Sequence, residues 1–251
     1  MGTWVTLTDV AITELAGNAG LHWVAVDLEH STLSDHHFEQ HARVASLSGI
    51  TCLARIPAVD HHRIKRLMDA GADGIIVANV QSRSDLDAAV AAMRYPPHGS
   101  RGVGLGRSHL YGPGFQPYVD THHEAVLVAQ IEHVDALPSL ASILSHPALT
   151  AWMIGPYDLS ASLGYPGDFS HPDVIAAVHR IRTEAKNHAA AAGIHVVEPN
   201  VAELETRLQE GYRFVAYSVD FRALDVAMRD GVQALQTFST GPNSPLATKD
   251  T

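Results

Sequence analysis

The chain has 251 residues, 46% of them hydrophobic and 18% charged, and a formal net charge of −10. This length and composition suit one large globular domain with a sizeable core. The negative charge argues against nucleic acid or an acidic membrane surface as the main partner, yet allows an anionic small molecule whose charge a metal ion or a few arginines meet locally.

Short apolar runs alternate with longer amphipathic segments along the whole chain. Eight runs read as buried parallel strands: Trp4–Leu7, Trp23–Asp27, Thr51–Arg55, Gly74–Val77, Val126–Ile131, Ala151–Ile154, Gly193–Val197 and Phe214–Ser218. Helical spacing appears in Ile64–Ala70, Asp85–Met93, Ala136–Leu144, Pro172–Ala191, Val201–Glu210 and Arg222–Leu235. The pairs Ala70-Gly71, Ala192-Gly193 and Glu210-Gly211 read as helix C-termini. Strands that are apolar throughout need cover on both faces, and alternation with helices supplies it. Eight such units predict an α/β protein, a single (β/α)8 TIM barrel over residues 1–238. The alternative, a doubly wound open sheet, would show fewer strands and a glycine-rich first turn, and neither is present.

Three further segments stand apart. Tyr95–Thr121, containing YPPHGSRGVGLGRSHLYGPGFQPY, is too long for a plain connection and reads as a shaped functional loop before the fifth strand. Its glycines are no dinucleotide fingerprint, because no βαβ context surrounds them. Residues 239–251 offer little to bury and predict a disordered tail. The histidine pairs His36-His37, His61-His62 and His122-His123 lack the i, i+4 spacing of a zinc site and read as solvated surface. A single cysteine, Cys52, forms no disulfide within the chain and points to a reducing compartment. No signal peptide and no apolar run near the ~20 residues of a membrane span is visible, so the expectation is a soluble cytoplasmic protein.

A barrel of this kind places its chemistry at the C-terminal ends of the strands. Those ends carry polar groups almost without exception: Asp27, Glu29 and His30 after the second, Arg55 on the third, Asn79 after the fourth, Gln130 and Glu132 at the fifth. The sixth runs into Gly155-Pro156-Tyr157-Asp158, the seventh ends in Glu198 and the eighth in Asp220. Glu132 and Asp158, on neighbouring strands, suit a hard divalent cation with water completing its shell. Asp158 also suits a helix cap over Leu159–Leu163. Lys65 and Lys186 fall inside helices and Lys249 in the tail, so a Schiff-base mechanism lacks its nucleophile. Carbonyl chemistry in such a barrel would then call on a metal. Arg55 offers a positive fork for a carboxylate or a developing oxyanion, and His30 beside Asp27 offers a base.

WVAVDLEHS (Trp23–Ser31), ARIP (Ala54–Pro57), DAGADGIIV (Asp69–Val77), RYPPHGSRGVG (Arg94–Gly104), VAQIEH (Val128–His133) and IGPYDLSASLG (Ile154–Gly164) together resemble the HpcH/HpaI aldolases, class II metal-dependent pyruvate aldolases. The resemblance covers roughly residues 4–235 in matching order and spacing. It implies that Glu132 and Asp158 ligate Mg, Mn or Co, that Gln130 contacts the bound 2-oxo acid, and that Arg55 holds its keto oxygen or enolate. His30, paired with Asp27, would act as base and acid through a water. The backbone at Gly155, Pro156 and Tyr157 would take the substrate carboxylate. Implied too are a pyruvate-type enolate adding to an aldehyde acceptor, and a homo-oligomer, a hexamer or trimer of dimers, in which a C-terminal helix packs on a neighbour. Leu28, Ala78-Asn79, His133 and Tyr157 depart from the residues usual in these aldolases, as does the loop Gly102–Tyr118. Arg101 and Arg107 are candidates for a second carboxylate or phosphate on the substrate, with loop anchoring as the alternative. The function expected is therefore a carbon–carbon lyase of the aldolase type. A synthase or decarboxylase using the same enolate site is the alternative. A non-catalytic barrel is disfavoured because His30, Arg55, Glu132 and Asp158 are all present.

Overall fold

Runs rich in Val, Ile and Ala form eight parallel strands in the computed structural model, which describes residues 1–240 and the side chains of residues 1–238. They are β1 (Gly2–Val5), β2 (Trp23–Asp27), β3 (Thr51–Ile56), β4 (Gly74–Val77), β5 (Val126–Ile131), β6 (Ala151–Ile154), β7 (Ala191–Val196) and β8 (Phe214–Val219). Each pairs in parallel with its neighbour in sequence, and β8 returns to β1, so the barrel closes as expected. Ten helices among the described residues cover it: α1 (Ala11–Asn18), α2 (Asp35–Ser48), α3 (His61–Asp69), α4 (Arg83–Met93), α5 (Phe115–Thr121), α6 (Leu140–Leu144), α7 (Pro156–Ser162), α8 (Pro172–Ala185), α9 (Val201–Gln209) and α10 (Asp220–Thr240). Side chains of Ser34, Asp60, Ser82 and Asn200 accept hydrogen bonds from first-turn N–H groups and so start α2, α3, α4 and α9. No helix among the described residues is long and apolar enough to cross a membrane.

The period-two alternation of the strands divides the core in two. Val24, Val26, Cys52, Ala54, Ile75 and Val77 point outward into the layer beneath the helices. Trp4, Ala25, Leu53, Ile76, Val128 and Met153 point into the lumen. At its N-terminal end the lumen is plugged by Trp23 stacked on Phe214, ring centroids 4.5 Å apart. Glycine makes room for this plug, since a Cβ on Gly2 would lie 2.0 Å from the Trp23 ring. The charged and amide side chains of the lumen gather at the C-terminal end. Asp220 helps close the barrel there: its carboxylate accepts the N–H groups of Thr6 (2.7 Å) and Leu7 (2.8 Å) and the Thr6 hydroxyl.

Several sequence expectations shift. The helix expected over Pro172–Ala191 stops at Ala185, and Ala192-Gly193 lies inside β7 instead of ending a helix. A Cβ at Gly193 would sit 2.6 Å from the Trp152 carbonyl oxygen, so the glycine serves close strand approach. The segment Ala136–Leu144 divides into a 3-10 turn, Val134–Ser139, and α6, because Pro138 has no N–H to continue an α-helical ladder. His122 is buried, with Nδ1 2.6 Å from the Val119 oxygen and its ring 5.0 Å from that of Tyr95, so this pair is not wholly solvated. Residues 239 and 240 continue α10; the rest of the expected tail, 241–251, lies outside the described residues.

Candidate active site

Five consecutive strands, β2 to β6, bring a set of charged and amide side chains to the C-terminal rim. Asp27, the last residue of β2, is buried and bonded by Arg55 of β3 through Nε–H to Oδ1 (2.9 Å) and through Nη2 to Oδ2. Oδ1 also accepts the backbone N–H groups of Glu29 (3.0 Å) and His30 (3.1 Å). Burial works to raise the Asp27 pKa, but Arg55 and the two backbone donors outweigh it and hold the carboxyl below its ordinary value. Arg55 is itself clamped, lying 4.2 Å over the Trp4 ring and 3.7 Å from Glu29.

Glu132 follows β5 and is buried. Its Oε1 accepts the backbone N–H of Asn79 (2.7 Å), and its Oε2 accepts the Gln130 amide. Asn79 holds a left-handed φ of 52°, which asparagine tolerates better than most residues and which turns its N–H to the carboxylate. Gly155 lies against the other side, where a Cβ would come 2.1 Å from Glu132 Oε2. Burial is the largest influence on this carboxyl; together with the charges of Glu29 and Asp158 it outweighs the two hydrogen bonds and pushes the pKa up to about 7. Asp158 stands in the first turn of α7, exposed, and caps nothing: no side-chain cap bond starts that helix. Glu29 is pushed up as well, by burial first and then by Asp27 and Asp158, against the pull of Arg55.

Four carboxylates, Asp27, Glu29, Glu132 and Asp158, thus gather at this rim, and its guanidinium, Arg55, reaches Asp27 and Glu29 only. Two buried oxygens on this rim, Glu29 Oε2 and Gln130 Oε1, have no hydrogen-bond partner among the described residues. Excess negative charge and orphaned oxygens are what a hard cation would satisfy. No group of three or more His, Cys, Asp or Glu side chains forms a closed cage among the described residues. The fit is therefore to an ion held by Glu132 and Asp158, with the rest of its shell left to water or substrate, as Mg²⁺ prefers.

The structure corrects three parts of the expected site. His30 does not pair with Asp27 through its ring, because Arg55 occupies both Asp27 oxygens. The imidazole turns outward instead, with Nε2 3.7 Å from Glu29 Oε2. Pro156 has no N–H, and the Gly155 N–H goes to the Ile131 oxygen (3.4 Å), so the donors left at the start of α7 are the first-turn N–H groups of Tyr157 and Asp158. Arg101 and Arg107 lie on the connection from α4 to β5, at the opposite, N-terminal rim. Arg101 is fully buried and ion-paired to Asp69 (2.5 Å), and it donates to the Tyr118 hydroxyl (2.8 Å). Arg107 donates to the carbonyls of Ala70 (3.3 Å) and Ala42 (3.0 Å). Both arginines anchor the long loop and neither reaches the polar rim of its own chain. Asp220 and Glu198 are structural too: one closes the barrel, the other pairs with Arg222 at 2.8 Å.

The strands β7, β8 and β1 complete the lumen with groups that sequence reasoning passed over. His195 of β7 stands edge-on to Trp4, ring centroids 5.9 Å apart, and its Nε2 lies 3.1 Å from the Ser218 carbonyl oxygen. Burial, with Arg55 acting in the same direction, brings the His195 pKa down to about 4. The alternation Ala191, Gly193, His195 was the available signal, because period two places all three on the lumen face.

Residues 1–227 match the family model of HpcH/HpaI aldolase/citrate lyase. A hydroxypyruvate/pyruvate aldolase of Roseobacter denitrificans is 33% identical over 227 residues, 89% of this chain and 87% of that protein. The 5-keto-4-deoxy-D-glucarate aldolase of Escherichia coli is 30% identical over 221 residues, 88% and 86% of the two chains. The crystal structure of an HpcH/HpaI aldolase from Desulfitobacterium hafniense superimposes with a TM-score of 0.84 at 30% identity, covering 96% of this chain and 93% of that one.

Proposed function

The chain belongs to the HpcH/HpaI aldolase/citrate lyase family, and from that premise we propose that it is a metal-dependent aldolase joining or cleaving a carbon–carbon bond between the enolate of a pyruvate-like 2-oxo acid and an aldehyde. One observation carries the reading: Glu132 and Asp158 reach one rim beside Gln130 and Arg55, with more carboxylate than cation.

Glu132 and Asp158 would hold a divalent ion, Mg, Mn or Co. When bound, such an ion supplies Lewis-acid polarisation of a keto oxygen, which eases removal of a proton at the adjacent carbon. Around it the chain's own residues divide the work. The Gln130 amide and the N–H groups of Tyr157 and Asp158 bind and orient the oxo acid. Arg55, locked by Asp27 and Trp4, keeps its guanidinium fixed where negative charge develops on the keto oxygen, so little reorganisation is needed. His30, exposed and steered by Glu29, takes the proton from the oxo acid or from a water next to it, and returns it to the acceptor oxygen.

The homo-oligomer reading draws its support from α10. Phe221, Leu224, Met228, Val232, Leu235 and Phe238 are exposed along this helix at i, i+3, i+4 spacing, an apolar stripe the barrel leaves uncovered. A second copy covering it would give the homo-oligomer, a hexamer or trimer of dimers. A buried lone thiol, Cys52, fits the reducing cytoplasm.

The test is solvent deuterium exchange into the methyl group of pyruvate with Mg²⁺ or Mn²⁺ and with chelator. Metal-dependent exchange is expected, together with loss of metal affinity in Glu132→Ala. Absence of exchange in every condition overturns the reading, and unchanged metal affinity in Glu132→Ala removes the ligand assignment.

A further inference from the structure

We propose that His195 is a specificity-determining residue, and that it selects 2-oxo acids bearing a hydroxyl on C3 over those with a plain methyl group. This rests on the aldolase reading above.

The lumen rim is chemically divided. The C-terminal ends of β2 to β6 and the start of α7 bring up Asp27, Arg55, Gln130, Glu132 and Asp158, which on that reading take the carboxylate and keto oxygens of an oxo acid. The wall made by β7, β8 and β1 presents His195, Ser218 and Trp4. Whatever part of the donor is not held by the charged wall faces this second one, and for a 2-oxo acid that part is C3 and its substituents. Trp4 ties the two walls together, since it touches the Arg55 guanidinium at 4.2 Å and the His195 ring at 5.9 Å.

The orientation of His195 is built into the backbone. Ser218 holds a left-handed φ of 57°, unusual for a residue with a Cβ. Its carbonyl oxygen meets both His195 Nε2 (3.1 Å) and the Thr3 hydroxyl (3.3 Å). A carbonyl only accepts, so Nε2 carries the ring hydrogen. Burial and the nearby Arg55 keep the ring neutral at physiological pH. Nδ1 is then a bare lone pair, and it has no hydrogen-bond partner among the described residues. A lone pair at that place accepts from a hydroxyl and gains nothing from a methyl group. A donor lacking the hydroxyl leaves the nitrogen unpaired, and this asymmetry underlies discrimination between such pairs.

The experiment compares two probes, 3-hydroxypyruvate and pyruvate, in the wild-type protein, His195→Leu and His195→Asn. For each protein loaded with Mg²⁺, calorimetry measures the affinity for both oxo acids, and proton NMR measures solvent exchange at C3. The readout is the ratio between the two compounds within one protein, so a partly folded preparation cancels. A ratio favouring 3-hydroxypyruvate is expected in the wild type. It should fall about tenfold in His195→Leu, the size of one neutral hydrogen bond, and recover in part in His195→Asn, whose amide oxygen replaces the Nδ1 acceptor. A His195→Leu ratio within twofold of wild type overturns the inference while leaving the aldolase reading intact. Absence of exchange and binding with either compound in the wild type overturns that reading, and this inference with it.

Discussion

Replacing Gly155 by alanine isolates the fit around Glu132. Gly155 has φ −93° and ψ 95°, a conformation alanine adopts freely, so the substitution brings no backbone strain. The new methyl group would come 2.1 Å from Glu132 Oε2 and 3.0 Å from the Gln130 amide nitrogen, whereas ordinary contact begins at 3.4 Å. The carboxylate must therefore withdraw by about 1.3 Å, the difference between 3.4 and 2.1. It cannot do so while keeping both the Gln130 amide and the Asn79 N–H. Overpacking of this kind costs about 1–3 kcal/mol, and displacing a metal ligand or its support costs about 10- to 100-fold in affinity. Calorimetric titration of Gly155→Ala with Mn²⁺, alongside thermal unfolding, should show weakened metal binding and a lowered Tm. Mn²⁺ affinity within twofold of wild type would refute the claim that this glycine makes room for the ligand.

Two further outcomes follow from particular side chains. Arg101→Met removes a buried cation and strands Asp69, so unfolding should cost about 3 kcal/mol less, while the KM for the oxo acid holds; a raised KM with unchanged stability would return Arg101 to the substrate. His195 titrates near 4 when folded and near 6.5 when unfolded, so the unfolded chain binds the extra proton between those values. Its contribution is present above 6.5 and is lost as pH falls towards 4, by about 3 kcal/mol at most. Denaturant unfolding across that range should show a shallower acid loss in His195→Leu than in wild type, and parallel curves would contradict the depressed pKa.

Much of the site was legible from strand ends. Glu132, Asp158, Arg55, Gln130 and Asp27 were all identifiable because the C-terminal rim of a parallel barrel is set by where apolar runs stop, a local property. Which of them bond to one another was not. In sequence Asp27 reads as the partner of His30, three residues away, and a contact with Arg55, 28 residues away, overrides it. The same holds for Gly155, whose role is a tertiary approach to Glu132.

What the sequence by itself determined is the architecture: eight apolar runs alternating with amphipathic segments admit few other ways to bury both faces of a parallel sheet. It also determined the polar inventory of the rim. The tertiary structure alone decided orientation and partnership. Arg101 and Arg107 went to the far rim because a helix-to-strand connection ends where strands begin. His30 turned to Glu29 because Arg55 had taken both oxygens of Asp27. His195 came to face Trp4 and Arg55 because barrel closure brings β7, β1 and β3 around one lumen. Each of these depends on contacts between residues far apart in the chain, which local pattern does not encode.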